Sequence, residues 1–386
     1  MKKGSRLPLP PPIDAITRLD DLEDIAEAFY LANGYIPELV SHWDPKPEFA
    51  LEIERWIVRE ARPSSLIQYV YSSYLEIDGR VKRRLGESRD RGIILTQSGT
   101  TSIATVVTYL NNIGIKQLHI VTPAYFAVES LASSFGLQLS FPQIGRRDGL
   151  YFLPRKHQIG SRNAIWLTFP IYGTSSYVSP RQVASFIDAL PLDTIVIVDE
   201  SLAYPDRNSL SETKTVDRVI RIATPQKALC MNGEKVSLIT LPQHLSDSFN
   251  AWSECLAGGI GASGQNALQF LASDAFDVAV TRSRQLIRST FERMRRVLGS
   301  RSTISLDQEC DGHFVMIYWP DLKMSLSDNR CFMKKILDSS GSLPIPASRN
   351  RHPDHNGFAF RVNLFRLDDA GLGGLKRLSD VLDAHV

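Results

Sequence analysis

Cysteine is scarce in this chain of 386 residues, and the four present (Cys230, Cys255, Cys310, Cys331) stand far apart without a CxxC pair. That leaves no material for a disulfide framework or a cysteine-built zinc site, and reduced thiols are expected. Net charge is equally sparse, since 44 Lys and Arg against 42 Asp and Glu leave +2 at pH 7. So balanced a chain gives no electrostatic reason to expect nucleic acid or an anionic membrane as a partner. The basic runs Lys82-Arg83-Arg84 and Arg293 to Arg296 sit among apolar residues at helical spacing and read as solvated helix faces. No apolar run approaches the length of a bilayer span. Residues 1–12 are basic but lack an apolar core and are broken by prolines, so a flexible arm is expected rather than a secretion signal. His352 and His355 flank Pro353, which rules out a helical pair, and no acidic or cysteine partner lies at metal-site spacing, so no metal is expected. A soluble, cytoplasmic protein is the expectation.

What is present is an ordinary globular composition, 43% apolar and 22% charged. From Gly92 onward, Val/Ile/Leu runs alternate with helical patterns. Strands are expected at 92–96, 117–121, 137–141, 164–168, 194–198, 218–223 and 236–241, with helices at 102–112, 124–135 and 180–190 between them. Near-continuous apolar strands separated by helices predict an α/β fold, a mostly parallel sheet of about seven strands covered on both faces. After Phe249 the pattern changes to a long helix ending at Leu298, short strands near 302–306, 313–319 and 358–364, and helices near 329–337 and 368–384. That is a smaller α+β domain. The expected division is an N-terminal arm and helices over 1–66, a large domain over 67–255 and a small C-terminal domain over 256–386.

The polar residues fall at strand exits, where ligands of such sheets bind. Lys227 follows the strand at 218–223, with Thr224 three residues before it, Gly233 six after and Lys235 eight after. This spacing suits a lysine that forms a Schiff base beside an anchored phosphate, with Thr224 and Lys235 as phosphate ligands. Ser98, Gly99 and Thr100 open a helix, where free backbone amides and the positive dipole end favour an anion; a plain N-cap uses the same residues. Tyr125 can stack on a planar ring or serve the core. Asp199 ends a buried strand, where a carboxylate can keep a pyridine nitrogen protonated or merely cap a turn. Arg361 lies on a late strand, and its planar fork suits a substrate carboxylate or an ordinary salt bridge.

Together these segments resemble the fold-type I pyridoxal-phosphate (PLP) enzymes, specifically the aspartate aminotransferase (class I/II) family, from about Gln68 to the C-terminus. The resemblance implies PLP as cofactor and an α-amino acid as substrate, with an oxo acid as acceptor, in a homodimer. It assigns catalysis to Lys227, Asp199 and Tyr125. Ser98, Gly99, Thr100, Thr224 and Lys235 match the phosphate cup, with Lys235 in place of the usual arginine. Arg361, in Phe-Arg-Val-Asn, matches the clamp for the α-carboxylate, and Tyr69 falls where the family reaches a partner subunit's phosphate. In this family the segment that follows the first helix often covers the site, which makes His42 and Trp43 candidate substrate contacts beside a core-packing role.

The chain also departs from the family pattern. Phe169-Pro-Ile-Tyr-Gly-Thr-Ser175 stands for the family's Asn-Pro-x-Asn-Pro-Thr-Gly, placing Tyr172 where an asparagine donates to the cofactor's phenolic oxygen. Asp199-Glu-Ser-Leu202 stands for Asp-x-x-Tyr and removes a second donor, with Tyr204 two positions too late. The Tyr172 hydroxyl is expected to replace one or both. Transamination is the leading expectation. A lyase or cyclase starting from the same loss of the Cα proton, and a catalytically silent binding protein, are the alternatives. Cys230 is expected to be a buried structural thiol, and the glycine-rich stretch 258–264 a flexible interdomain or dimer-facing loop.

Overall fold

The computed structural model describes residues 14–47, 49, 79–86, 91–147, 149–154, 162–233, 235–299, 301–307, 310–322, 329–352 and 357–385. Seven strands build the main sheet: β1 (Arg91–Thr96), β2 (Gln117–Ile120), β3 (Gln138–Ser140), β6 (Asn163–Thr168), β7 (Ile195–Glu200), β8 (Val219–Ala223) and β9 (Ser237–Pro242). Their spatial order is β1-β9-β8-β7-β6-β2-β3. All neighbours pair in parallel except β9, which runs antiparallel to β8 and β1. The reversal has a local cause. Parallel neighbours need a crossover, usually a helix, whereas the β8–β9 connection holds only the single 3-10 turn Pro225–Leu229.

Alternation along the strands supplies both faces of the sheet. Ile165, Leu167, Val196 and Val198 join one apolar cluster with Val183 and Ile187 of helix Pro180–Asp188. Ala164, Trp166, Ile197, Ile220 and Ile239 join another, beneath helices Gly99–Asn112, Phe126–Ser134 and Gln243–Ala257. Each fully buried side chain of this size stabilises by about 1.5–3 kcal/mol. Between β3 and β6 the chain turns aside into a two-stranded hairpin, β4 (Gly145–Arg147) with β5 (Leu150–Phe152).

A second sheet is antiparallel, in the order β10 (Ser305–Leu306), β11 (Phe314–Trp319), β13 (Phe358–Asn363), β12 (Ile345–Pro346). It packs with helices Asp274–Leu298, Asn329–Ser340 and Asp369–Asp383, and with helix Asp14–Asn33, in one apolar cluster that reaches Leu229 and Met231 beside the lysine turn. The expected strand at 302–306 is reduced to two residues. The glycine-rich stretch 258–264 is not wholly loop, because Ala262 to Gly264 form the first turn of helix Ala262–Ala272. A side chain on Gly264 would lie 3.3 Å from the Lys235 carbonyl, so glycine there lets the helix approach the loop closely. Among the described residues no helix is long and apolar enough to cross a membrane.

Candidate active site

The strand exits of β1, β6, β7 and β8 converge on a cavity of about 260 Å³. It is lined by Ser98, Gly99, Thr100, Tyr125, Tyr172, Asp199, Thr224, Lys227 and Lys235, together with Trp43. Nine residues singled out in the cofactor region of the sequence are thus brought together. Tyr69 lies outside the described residues.

Lys227 is held on a tight turn. Its amide donates to the Thr224 carbonyl at 2.9 Å, and its carbonyl accepts from the Cys230 amide at 2.9 Å. Cys230 adopts positive φ (55°) and buries its thiol. Behind the turn a chain of hydroxyls ties three strands and a helix: Thr96 to Ser102 at 2.7 Å, Ser102 to Ser237 at 2.7 Å, and Ser237 to the Ala223 carbonyl at 3.3 Å. The Lys227 amine points back at the start of helix Gly99–Asn112. A Cβ on Gly99 would come within 3.1 Å of Nζ, 3.6 Å of Ser201 Oγ and 3.7 Å of Thr224 Oγ1. Glycine at 99 therefore makes room for the amine. Burial lowers the Lys227 pKa, as Lys235 does to a lesser degree, while Asp199 opposes both. A lysine so desolvated holds its proton less firmly, which raises the share of free amine available to attack a carbonyl or take up a proton.

The helix start carries the anion-binding features. Ser98 caps it, accepting from the Thr101 amide at 3.1 Å. The first amides of a helix have no acceptor within it, and among them are those of Gly99 and Thr100, two residues that line the cavity. Thr224 Oγ1 donates to the Ser201 carbonyl at 3.0 Å. Lys235 is solvent-exposed at the cavity edge.

Asp199 is 3% exposed and accepts from the Ser201 amide at 3.0 Å. Burial raises its pKa, tempered first by Ser201 and then by the Lys227 charge. A carboxylate in this position gains most from a proton-bearing nitrogen placed before it. The Thr168 hydroxyl, which lines the same cavity, has no hydrogen-bond partner among the described residues. Tyr204 takes no part. It is fully buried against helix Asp274–Leu298, with its hydroxyl 2.9 Å from Ser283 Oγ, and Leu202 lines the cavity instead.

Arg361 reaches the same region from β13 of the second sheet. It is 3% exposed. Nε donates to the Ser41 carbonyl at 3.2 Å and Nη1 to the Tyr172 hydroxyl at 3.2 Å. Its guanidinium lies 4.4 Å from the Trp43 ring centre and 4.9 Å from that of Phe314. No carboxylate pairs with it among the described residues. Burial pushes the Tyr172 phenol up to about 12, against the pull of Arg361, so the hydroxyl keeps its proton and can donate it into the cavity. The Tyr172 carbonyl is within 3.0 Å of Nε2 of buried His352, whose pKa burial lowers to about 4.

Trp43 stands where two cavities meet, lining both, whereas His42 is half-exposed and lines only the outer one. Asn363 Nδ2 donates to the carbonyls of His42 (2.9 Å) and Trp43 (3.2 Å), and Asn232 Nδ2 to that of Trp43 (3.2 Å). This short segment is therefore fastened both to the second sheet and to the loop after Lys227. Thr168, Ser201 and Asn232 were not anticipated from the sequence. Only the position of the first two at or just past a strand end could have marked them. Among the described residues no group of three or more His, Cys, Asp or Glu is placed to hold a metal.

No family model matches the chain, and no curated protein does. Solved structures do match it over nearly its whole length. A methionine aminotransferase of Escherichia coli superposes with a TM-score of 0.72 at 15% identity, covering 97% of this chain and 100% of its own. The N-succinyldiaminopimelate aminotransferase of Mycobacterium tuberculosis gives 0.72 at 16% identity, covering 95% and 99%. The aspartate aminotransferase of Thermotoga maritima gives 0.70 at 16% identity, covering 96% and 99%. Those proteins share a single architecture, and this chain has it: the aminotransferase fold of the fold-type I PLP enzymes.

Proposed function

We propose that the protein is a PLP-dependent aminotransferase acting on an α-amino acid, with an oxo acid as amino-group acceptor. The observation that carries the reading is the placement of three ionisable groups about one cavity wall, none of them closing an ion pair among the described residues. Lys227 and Asp199 line the cavity together, and Arg361 lies beyond Tyr172 without an acidic partner among the described residues. The fit to PLP rests on the helix-start amides, the room left by Gly99 and the Thr168 hydroxyl, which is unpartnered among the described residues. When bound, PLP supplies an aldehyde that takes up the substrate amine and a ring that draws electrons from the Cα–H bond.

The chain's own residues do the rest. Ser98, Thr224, Lys235 and the amides of Gly99 and Thr100 hold the phosphate. Asp199 keeps the pyridine nitrogen protonated, and Tyr125 stacks on the ring. Tyr172 donates to the phenolic oxygen from the place where the family uses asparagine. Arg361 clamps the α-carboxylate and so fixes which Cα bond faces Lys227. The Lys227 amine, whose hold on its proton burial weakens, would accept the Cα proton and hand it back. The reading extends to a cytoplasmic homodimer in which Tyr69 reaches the partner's phosphate, and to the division of the chain at about residues 66 and 255.

The test is oxo-acid release from an amino acid by the PLP-loaded protein. Release beyond one equivalent per site must require an oxo-acid acceptor, and all release must vanish, with the visible absorbance of bound PLP shifted, in Lys227→Ala. Turnover that proceeds without any acceptor would overturn the assignment.

A further inference from the structure

A second cavity, of about 340 Å³, adjoins the first and shares Trp43, Tyr125 and Tyr172 with it. The three rings form a collar, with Trp43 6.3 Å from Tyr125 and 6.1 Å from Tyr172, and Tyr125 6.0 Å from Tyr172. Arg361 lies in the wall just beyond the collar, where the α-carboxylate would sit. Past it the walls turn apolar. Leu22 and Ala26 come from the first helix, Leu39 from the segment after it, Phe126 from the start of its own helix, and Leu343 and Ile345 from beside β12.

The charges decide what this space accepts. Of the described residues that line it, Arg361 is the only cation and Glu23 the only anion; His42 is neutral at pH 7, its pKa lowered chiefly by burial. With Arg361 engaged by the α-carboxylate, a second substrate carboxylate would meet no cation and would face Glu23. Taking such an ion out of water without a countercharge is unfavourable. An aromatic or branched aliphatic side chain would instead gain by burial of its apolar surface and by ring contacts at the collar. Room is sufficient, since an apolar cavity of about 150 Å³ already holds benzene.

We infer that the second cavity is the side-chain pocket and that the substrate is an amino acid with a large, uncharged, apolar side chain, dicarboxylic acids being excluded. The inference rests on the proposed role of Arg361 but not on chemistry at Lys227, and the two can fail separately.

Acids that lack the amine isolate it. On the full chain with PLP present, binding of 3-phenylpropionate, 4-methylpentanoate, succinate and 5-aminopentanoate is measured by calorimetry. The two apolar acids should bind at least about 10-fold more tightly than succinate, a difference of about 1.4 kcal/mol. Arg361→Met should abolish binding of all four, and Ala26→Arg, which adds a cation to the wall, should narrow or reverse the preference over succinate. Equal or tighter binding of succinate by the parent overturns the inference. Tightest binding of 5-aminopentanoate overturns it too, by making Glu23 a side-chain ligand, and so does failure of every acid to bind. Apolar binding without any amine transfer would leave the pocket standing and bring down only the proposed activity.

Discussion

Replacing Arg361 by methionine separates a residue kept for a ligand from one kept for the fold. The guanidinium is buried and makes two hydrogen bonds to neutral oxygens, those of Ser41 and Tyr172, but no ion pair among the described residues. Methionine has a similar length and no charge to desolvate. If the fork holds a carboxylate through two charge-assisted bonds, each contributing about 1.5–3 kcal/mol, its removal lowers kcat/KM by about 10²–10⁴-fold. The fold should hardly notice. Relief of an unpaired buried charge offsets the lost bonds and the cation–π contacts with Trp43 and Phe314, leaving a net change within about 1 kcal/mol. For a chain of this size that is a melting shift of no more than about 4 °C. Steady-state kinetics with saturating oxo acid, run beside thermal unfolding of the same preparation, give both numbers. A variant that keeps kcat/KM within about threefold while losing about 10 °C would show a structural arginine and refute the reasoning.

Two further outcomes follow from the geometry. Gly99→Ala places a methyl 3.1 Å from Lys227 Nζ, so the flexible lysine end must give way; kcat should fall about 10-fold with little change in melting temperature, and unchanged kcat would mean the amine does not work from this position. Asp307, enclosed by Tyr151, Tyr318 and Arg146, has its carboxyl raised by burial from 3.8 to about 6, against the pull of Arg146. The folded state therefore binds the proton more tightly than the unfolded chain, so this contribution is fully present below about pH 4. It is lost as pH rises through 6, by about 3 kcal/mol in all. Denaturant unfolding of Asp307→Asn against the parent should show the difference in that window, and parallel curves would remove the assigned cause.

Much of this was legible because two-sided burial leaves its mark on sequence. The strands at Ile195–Glu200 and Asn163–Thr168 are unbroken apolar runs because both of their faces are packed. The polar residues at strand exits interrupt such runs, which is why Asp199 and Lys227 stood out. The direction of β9 was not legible, since strand composition does not encode which way the strand runs. The hairpin at 145–152 was missed because only Tyr151 of its second strand turns inward, between exposed Leu150 and Phe152. Trp43 read equally as core or contact. Its place on the boundary between two cavities depends on Asn363 and Asn232, both distant in sequence, fastening its carbonyl.

Likeness at 15% identity fixes an architecture and leaves the chemistry to be argued from charge. The contrast between Asp199 and its neighbour Glu200 makes that argument. Glu200 is as deeply buried, and the fold satisfies it completely: the Arg221 guanidinium pairs with one oxygen, and the amide and hydroxyl of Ser209 donate to the other. That is how a core treats an ion it merely tolerates. Asp199, Lys227 and Arg361 are treated differently. Burial disfavours the charge on both Asp199 and Lys227, and Arg361 is buried without an acid beside it. None of the three closes an ion pair among the described residues, although Asp199 and Lys227 line one cavity and Arg361 the next. Left alone this arrangement costs stability, since pairing acid with base would be better. On the proposed reading it would become favourable once the space between them held a proton-bearing nitrogen for Asp199, an electrophilic carbon for Lys227 and a carboxylate for Arg361. PLP and an amino acid together present those three groups.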